Sequence, residues 1–98
     1  MKFMVLWEVQ EDKRLDTLKA FSEMTAADDA AELGENLKLV GRWHDLVGFT
    51  GVAICETDDP GAVHNWLLNW NGVINVEVRP VLDDAETREI GRARFAED

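Results

Sequence analysis

Apolar and polar positions along the chain fall into alternating strand-like and helix-like stretches. In Lys2 to Val9 (KFMVLWEV) both alternating sets, Phe3/Val5/Trp7 and Met4/Leu6, are apolar, the pattern of a central strand buried on both faces. Leu15, Leu18, Phe21 and Ser22 recur at helical spacing between Asp16, Lys19 and Glu23, which predicts an amphipathic helix. Thr25 and Asp28 resemble a capping box and Gly34 a C-terminal cap, so a second short helix or a helical continuation is expected between Thr25 and Asn36.

Leu37 to His44 (LKLVGRWH) alternates: Leu37, Leu39, Gly41 and Trp43 are expected on one face, and Lys38, Val40, Arg42 and His44 on the other. Asp45 to Gly48 supplies a turn, and Phe49 to Thr57 reads as a strand buried on both sides, completing a hairpin. Asp59-Pro60 starts a helix, with Asp as cap and Pro at the first helical position. Val63, Trp66, Leu67 and Trp70 then form one apolar stripe, which ends at Asn71-Gly72. Val73 to Leu82 is a fourth strand, with Ile74, Val76 and Val78 opposed to Asn75, Glu77 and Arg79. Pro80 cannot donate to a ladder, which places this strand at an edge or the proline near its end. From Asp83 onward a charged terminal helix is expected, peripheral and docked through Ile90 and Phe95 or frayed.

The order is β-α-β-β-α-β plus a C-terminal helix, a single α+β domain over residues 1–98 with the ferredoxin-like arrangement and a four-stranded antiparallel sheet. Helices cover one face of such a sheet. The other face offers Met4 and Leu6, or Val52 and Ile54, which is too apolar to stay exposed, so a second copy is expected to cover it. A domain this small buries only about 60–65% of its unfolded surface, which also favours a homodimer.

Strand 1, the GRWH of Gly41 to His44, the ETDDP of Glu56 to Pro60, the Trp66-x-x-x-Trp70-Asn71 helix end and the RPVLDD of Arg79 to Asp84 resemble an uncharacterised bacterial family of the dimeric α/β-barrel superfamily, over about residues 1–84. The resemblance implies a ferredoxin-like homodimer with a barrel between subunits and brings no established activity. Relatives in the superfamily include cofactor-independent monooxygenases, haem-degrading enzymes and isomerase-like proteins, so fold does not decide function. Haem-binding relatives combine an axial His on the second helix with an Asn on the first strand and a nearby Trp. This chain has His64 and Trp66 but no Asn in residues 2–9.

Composition narrows the chemistry. Twenty Asp and Glu against 10 Lys and Arg give a net charge of −10, which argues against nucleic acid and against an anionic membrane surface. No apolar run reaches the roughly 20 residues of a membrane span, and the N-terminal residues lead into a strand rather than a signal peptide. A single cysteine, Cys55, fits a reduced, cytoplasmic setting. No cofactor and no metal is expected, because His44, His64, Cys55 and Glu56 lack the paired spacing of a metal site.

The expected site is the polar face of the edge strands: Arg42 and His44 on the second, Glu77 and Arg79 on the fourth, with Glu56 nearby and Trp66 as an aromatic wall. His44, with an ordinary pKa of about 6.5, is the candidate acid or base, and the cations would orient an anionic or enolic substrate. Three readings follow: a small-molecule-binding protein, an enzyme of the cofactor-independent monooxygenase or isomerase kind, and a ligand-free structural dimer. In the last, Arg42/Glu77 and Arg79/Glu56 merely neutralise one another across strands or subunits.

Overall fold

A computed structural model describes residues 1–96. The strands are β1 (Lys2–Val9), β2 (Lys38–Asp45), β3 (Thr50–Glu56) and β4 (Ile74–Val81), and the helices are α1 (Arg14–Ser22), α2 (Ala26–Leu33), α3 (Pro60–Leu67) and α4 (Asp84–Arg94). One four-stranded sheet runs β2-β3-β1-β4 with every neighbouring pair antiparallel. This is the ferredoxin-like α+β order, with β1 and β3 central and β2 and β4 at the edges. Pro80 accordingly lies in an edge strand.

Local chemistry sets the helix ends. Thr25 accepts from the Asp28 backbone N–H while the Asp28 carboxylate accepts from the Thr25 N–H, a reciprocal cap that starts α2. Gly34 closes that helix at φ 74°, a backbone region that favours glycine. Asp59 caps α3 by accepting from the Gly61 N–H, with Pro60 in its first turn. The last two positions of the expected terminal helix, 97 and 98, lie outside the described residues.

The core sits between the sheet and the helices. Phe3 and Val5 of β1, Leu37 just before β2, Ala53 and Cys55 of β3, and Val63, Trp66 and Leu67 of α3 are its buried members. On the opposite face Met4, Leu6, Val52 and Ile54 are only half-buried, and the Trp43 side chain lies flat over Gly41. Leu15, expected in the apolar stripe of α1, is 76% exposed. It sits about 60° round the helix from Leu18 and about 100° from Arg14, and the stripe that faces the sheet is Arg14, Thr17, Leu18 and Phe21.

One departure from the sequence pattern matters most. Leu39 pairs with Cys55 and Gly41 with the adjacent Ile54, so Val40 is an extra residue, a β-bulge. Because side chains alternate with a period of two, one inserted residue turns the rest of the strand over. Leu39 therefore shares the helix-covered face with Arg42 and His44, which pair with Ala53 and Gly51. Trp43 faces the open side, opposite Val52.

Candidate functional site

The bulge separates the residues expected to share one polar face. Arg42 and His44 point beneath the helices. Glu77 and Arg79 pair with Leu6 and Met4 and point to the open face. Glu56 also lies on the open face, at the far end of the central strands beside Lys2. The charge pairs differ accordingly: Arg42 binds Asp29 of α2 at 3.3 Å, and Arg79 binds Glu77 of its own strand at 2.6 Å. Neither Arg42–Glu77 nor Arg79–Glu56 forms within the subunit: the first two residues lie on opposite faces of the sheet, and Arg79 and Glu56 share the open face but are separated by β1 and by two residues of register.

Beneath α1 and α3 the fold leaves a cleft of about 90 Å³. Trp7, Phe21, Phe49, Trp66 and Trp70 wall it, and Thr17, Arg42 and His44, with Asp45 and Thr50, are its polar lining residues. Glycine at 51 makes room for the wall, since a Cβ there would overlap the Trp7 indole. The His44 ring stands at the exposed mouth, 5.6 Å from the Trp7 ring in an edge-on arrangement and 4.8 Å from Phe21. Phe21 also carries the Arg42 guanidinium over its face at 4.7 Å, a cation–π contact.

Electrostatics follow from this packing. Partial burial, with the Arg42 charge adding to it, holds the His44 imidazole below its ordinary 6.5, so at neutral pH it is uncharged and able to accept a proton. Arg42 is anchored by Asp29, and its side chain is only 14% exposed, so it shapes the cleft as a fixed charge. Burial pushes Glu32 of α2 up, with the Asp29 charge adding to it and the nearby Trp70 indole and Arg42 opposing it. Asp45 adjoins His44 in sequence but makes no dyad with it. Its carboxylate accepts from the Val47 and Gly48 N–H groups and the Thr50 hydroxyl, which closes the β2–β3 turn and holds its pKa down.

Two polar atoms on the inner stripe of α1 are buried with no hydrogen-bond partner: Thr17 Oγ1 and Arg14 Nε. Such atoms in a folded protein call for an explanation. Thr17 opens onto the cleft, and the Arg14 guanidinium stacks 5.3 Å from the centre of Phe49, a non-glycine residue at φ 53°. The lining of the cleft thus includes one buried hydroxyl that has no partner in the protein. The sequence pattern does not mark Thr17, Phe21 and Phe49 as site residues, although the spacing of Arg14, Thr17, Leu18 and Phe21 places Thr17 and Phe21 on one helix face.

Other candidates fall elsewhere. His64 is exposed on α3, away from the buried stripe. Cys55 is fully buried, its thiol pushed up by burial, and it donates weakly to the Phe3 carbonyl. Among the described residues no group of three or more His, Cys, Asp or Glu side chains is placed to hold a metal ion, and no helix is long and apolar enough to cross a membrane.

No curated protein matches the chain. A family model does match, across residues 1–95, and on that extent the chain belongs to the family described as a domain of unknown function, DUF3303.

Proposed function

We propose that the protein binds a small organic molecule in the cleft beneath α1 and α3, and that it does so as a homodimer whose open sheet faces meet. The observation that carries the reading is an aromatic-walled void beside His44 and Arg42, rather than a space filled by Trp side chains and ion pairs. Such a void with a few polar groups is how small-ligand sites are built. At about 90 Å³ it is smaller than the ~150 Å³ engineered cavity that takes up benzene. A single planar ring enters only with some side-chain movement, and a larger ligand projects past His44 into solvent. Thr17 Oγ1 offers a hydrogen bond inside, and the His44 and Arg42 edge favours a carboxylate, carbonyl or enol at the mouth.

Pairing of sheets is supported by the half-buried Met4, Leu6, Val52 and Ile54 and by Trp43, 59% exposed, on the same face. Glu77, Arg79 and Glu56 then lie at the subunit interface, as the barrel of the dimeric α/β superfamily would have it, and not in the ligand cleft. The buried, unpaired Cys55 and the acidic composition support a cytoplasmic setting.

A second reading has its own observation. A neutral imidazole at the mouth of an apolar cleft suits proton transfer, so His44 would act as acid or base in cofactor-independent oxygenation or isomerisation of an enolisable substrate. Thermal-shift measurements against aromatic and keto acids, repeated with His44→Ala, Arg42→Ala and Thr17→Val, test both. The binding reading expects stabilisation by at least one acid that His44→Ala and Thr17→Val reduce; stabilisation unchanged in all three variants places the ligand elsewhere. Turnover of a stabilising acid by the wild type and not by His44→Ala selects the enzymatic reading.

A further inference from the structure

We infer that Arg14, now shielded by Phe49, is the carboxylate-binding residue of the cleft, and that the ligand is an aromatic or α-keto acid with its acid end at α1 and its carbonyl or enol end at His44. The inference deepens the small-molecule reading above and rests on it. Its starting point is an unanswered charge. Of the arginines among the described residues, only Arg14 and Arg42 are partly withdrawn from solvent. Arg42 has its counter-ion, the Asp29 carboxylate at 3.3 Å. Among the described residues no carboxylate lies within ion-pair distance of Arg14, in a chain with 20 acidic residues against 10 basic ones. Its Nε is buried and has no acceptor in the protein. Taking a guanidinium out of water is unfavourable unless a counter-charge and hydrogen bonds offset it.

The contact that Arg14 does make supplies no acceptor. Its guanidinium carbon lies 5.3 Å from the centre of the Phe49 ring, and a cation–π contact answers part of the charge while leaving the N–H groups unmatched. Thr17 follows one turn along the same face of α1, and its hydroxyl is likewise buried without a partner, on the lining of the cleft. A carboxylate satisfies both, accepting from the guanidinium with one oxygen and from the hydroxyl with the other. Pairing also decides between the two arginines. The Arg42 charge is already met by Asp29, which leaves the mouth to the uncharged His44 imidazole, a partner for a carbonyl or an enol.

Phe49 controls access to that end. At about 90 Å³ the cleft takes a ring only if a wall gives way. Trp66 is a core residue at 4% exposure, Trp7 lies where a Cβ at position 51 would be, and Phe21 is in contact with both His44 and Arg42. Phe49 is held less firmly. It belongs to the β2–β3 turn rather than to a strand, and its φ of 53° is unfavourable for a bulky residue. The Val9 N–H donates to its carbonyl at 2.8 Å, so the main chain stays in place while the ring turns. Turning the ring aside widens the cleft on the Arg14 side and uncovers the guanidinium in the same movement.

The test titrates phenylpyruvate and phenylacetate, each beside its neutral methyl ester, into the wild type, Arg14→Gln and Arg14→Lys by calorimetry, with circular dichroism to check folding. In parallel the Arg14 Nε–Hε resonance of the wild type is followed by ¹⁵N NMR. The expected result is that at least one acid binds, with a Kd raised about tenfold or more in Arg14→Gln and less in Arg14→Lys, while its ester binds wild type and Arg14→Gln alike. The Arg14 resonance moves downfield with the acid, and that result decides by itself if Arg14→Gln does not fold. An acid bound equally by wild type and Arg14→Gln but weakened by His44→Ala, or one that leaves the Arg14 resonance in place, overturns the role of Arg14 and leaves the cleft standing. Equal loss of acid and ester in Arg14→Gln marks a structural role and overturns it too. If neither acid binds the wild type at millimolar concentration, the role of Arg14 and the cleft reading fall together.

Discussion

The two edge strands began as mirror images in the sequence and ended with opposite roles. β4 pairs with β1 residue for residue, so Glu77 and Arg79 keep the alternation that their spacing predicts and face the open side. β2 carries one extra residue, Val40, and everything after it is inverted. A regular edge supplies surface charge, here an exposed Arg79–Glu77 pair worth little in water. A bulged edge aims a histidine and an arginine into a cleft under the helices. Which side chains of β2 line the cleft is thus decided by one residue of register, since a bulge re-aims the side chains that follow it.

The contrast is broken most forcefully by removing the wall that β2 faces. Trp66→Ala should cost about 3–5 kcal/mol in urea unfolding, because the side chain is 4% exposed and nothing nearby replaces it. Trp43→Ala, one residue from His44 but on the open face, should change subunit stability by only about 0.5 kcal/mol and act instead on association. Equal costs at the two tryptophans would contradict the assignment of faces.

Deleting Val40 tests the bulge itself. The shortened strand must either keep Leu39 inward and turn Arg42 outward or do the reverse, so the Arg42–Asp29 bond and one set of apolar contacts cannot both survive. A loss of about 1.5–3 kcal/mol is expected, the range for a hydrogen bond to a charged group. If Arg42 turns outward, the His44 pKa should rise toward 6.5 in the same variant, as NMR titration would show.

The pH dependence of stability follows from His44 with a definite sign. Its folded pKa lies below its unfolded value of 6.5, so between the two the unfolded chain binds more protons. Stability is therefore fully present above pH 6.5 and declines as pH falls through the folded pKa. His44→Gln should flatten that decline in pH-dependent thermal melts, whereas Arg79→Gln on the other edge should leave it intact. Smaller still is Glu32→Gln. Burial is the largest cause of the raised Glu32 pKa, and a neutral side chain of the same shape avoids that burial cost. A slight rise in melting temperature at pH 7 is expected, which disappears below the ordinary carboxyl pKa of 4.5, where Glu32 is itself neutral.

Much of this architecture was legible because its signals are local. Thr25 with Asp28, Gly34, and Asp59 with Pro60 each carry their own backbone geometry, and both-face apolar runs marked β1 and β3 as central. The face of β2 was not legible. LKLVGRWH alternates without fault on paper, and a bulge leaves no trace in composition because it arises from pairing with a distant strand. The consequence propagates: strand alternation alone groups Arg42 and His44 with Glu77 and Arg79, whereas the bulge sets them against α1. Leu15 misled for a related reason, since an apolar residue at the margin of a helical stripe resembles one at its centre.

The most direct test of the account is NMR shift mapping of the assigned protein as an acid that stabilises it is added, drawn from the aromatic and keto acids above. Perturbations centred on Thr17, Phe21, His44 and Trp66, beneath the helices, are the predicted result. Perturbations centred on Leu6, Val52, Glu77 and Arg79, or none from any acid at millimolar concentration, would contradict the assignment of the site to the helix-covered face.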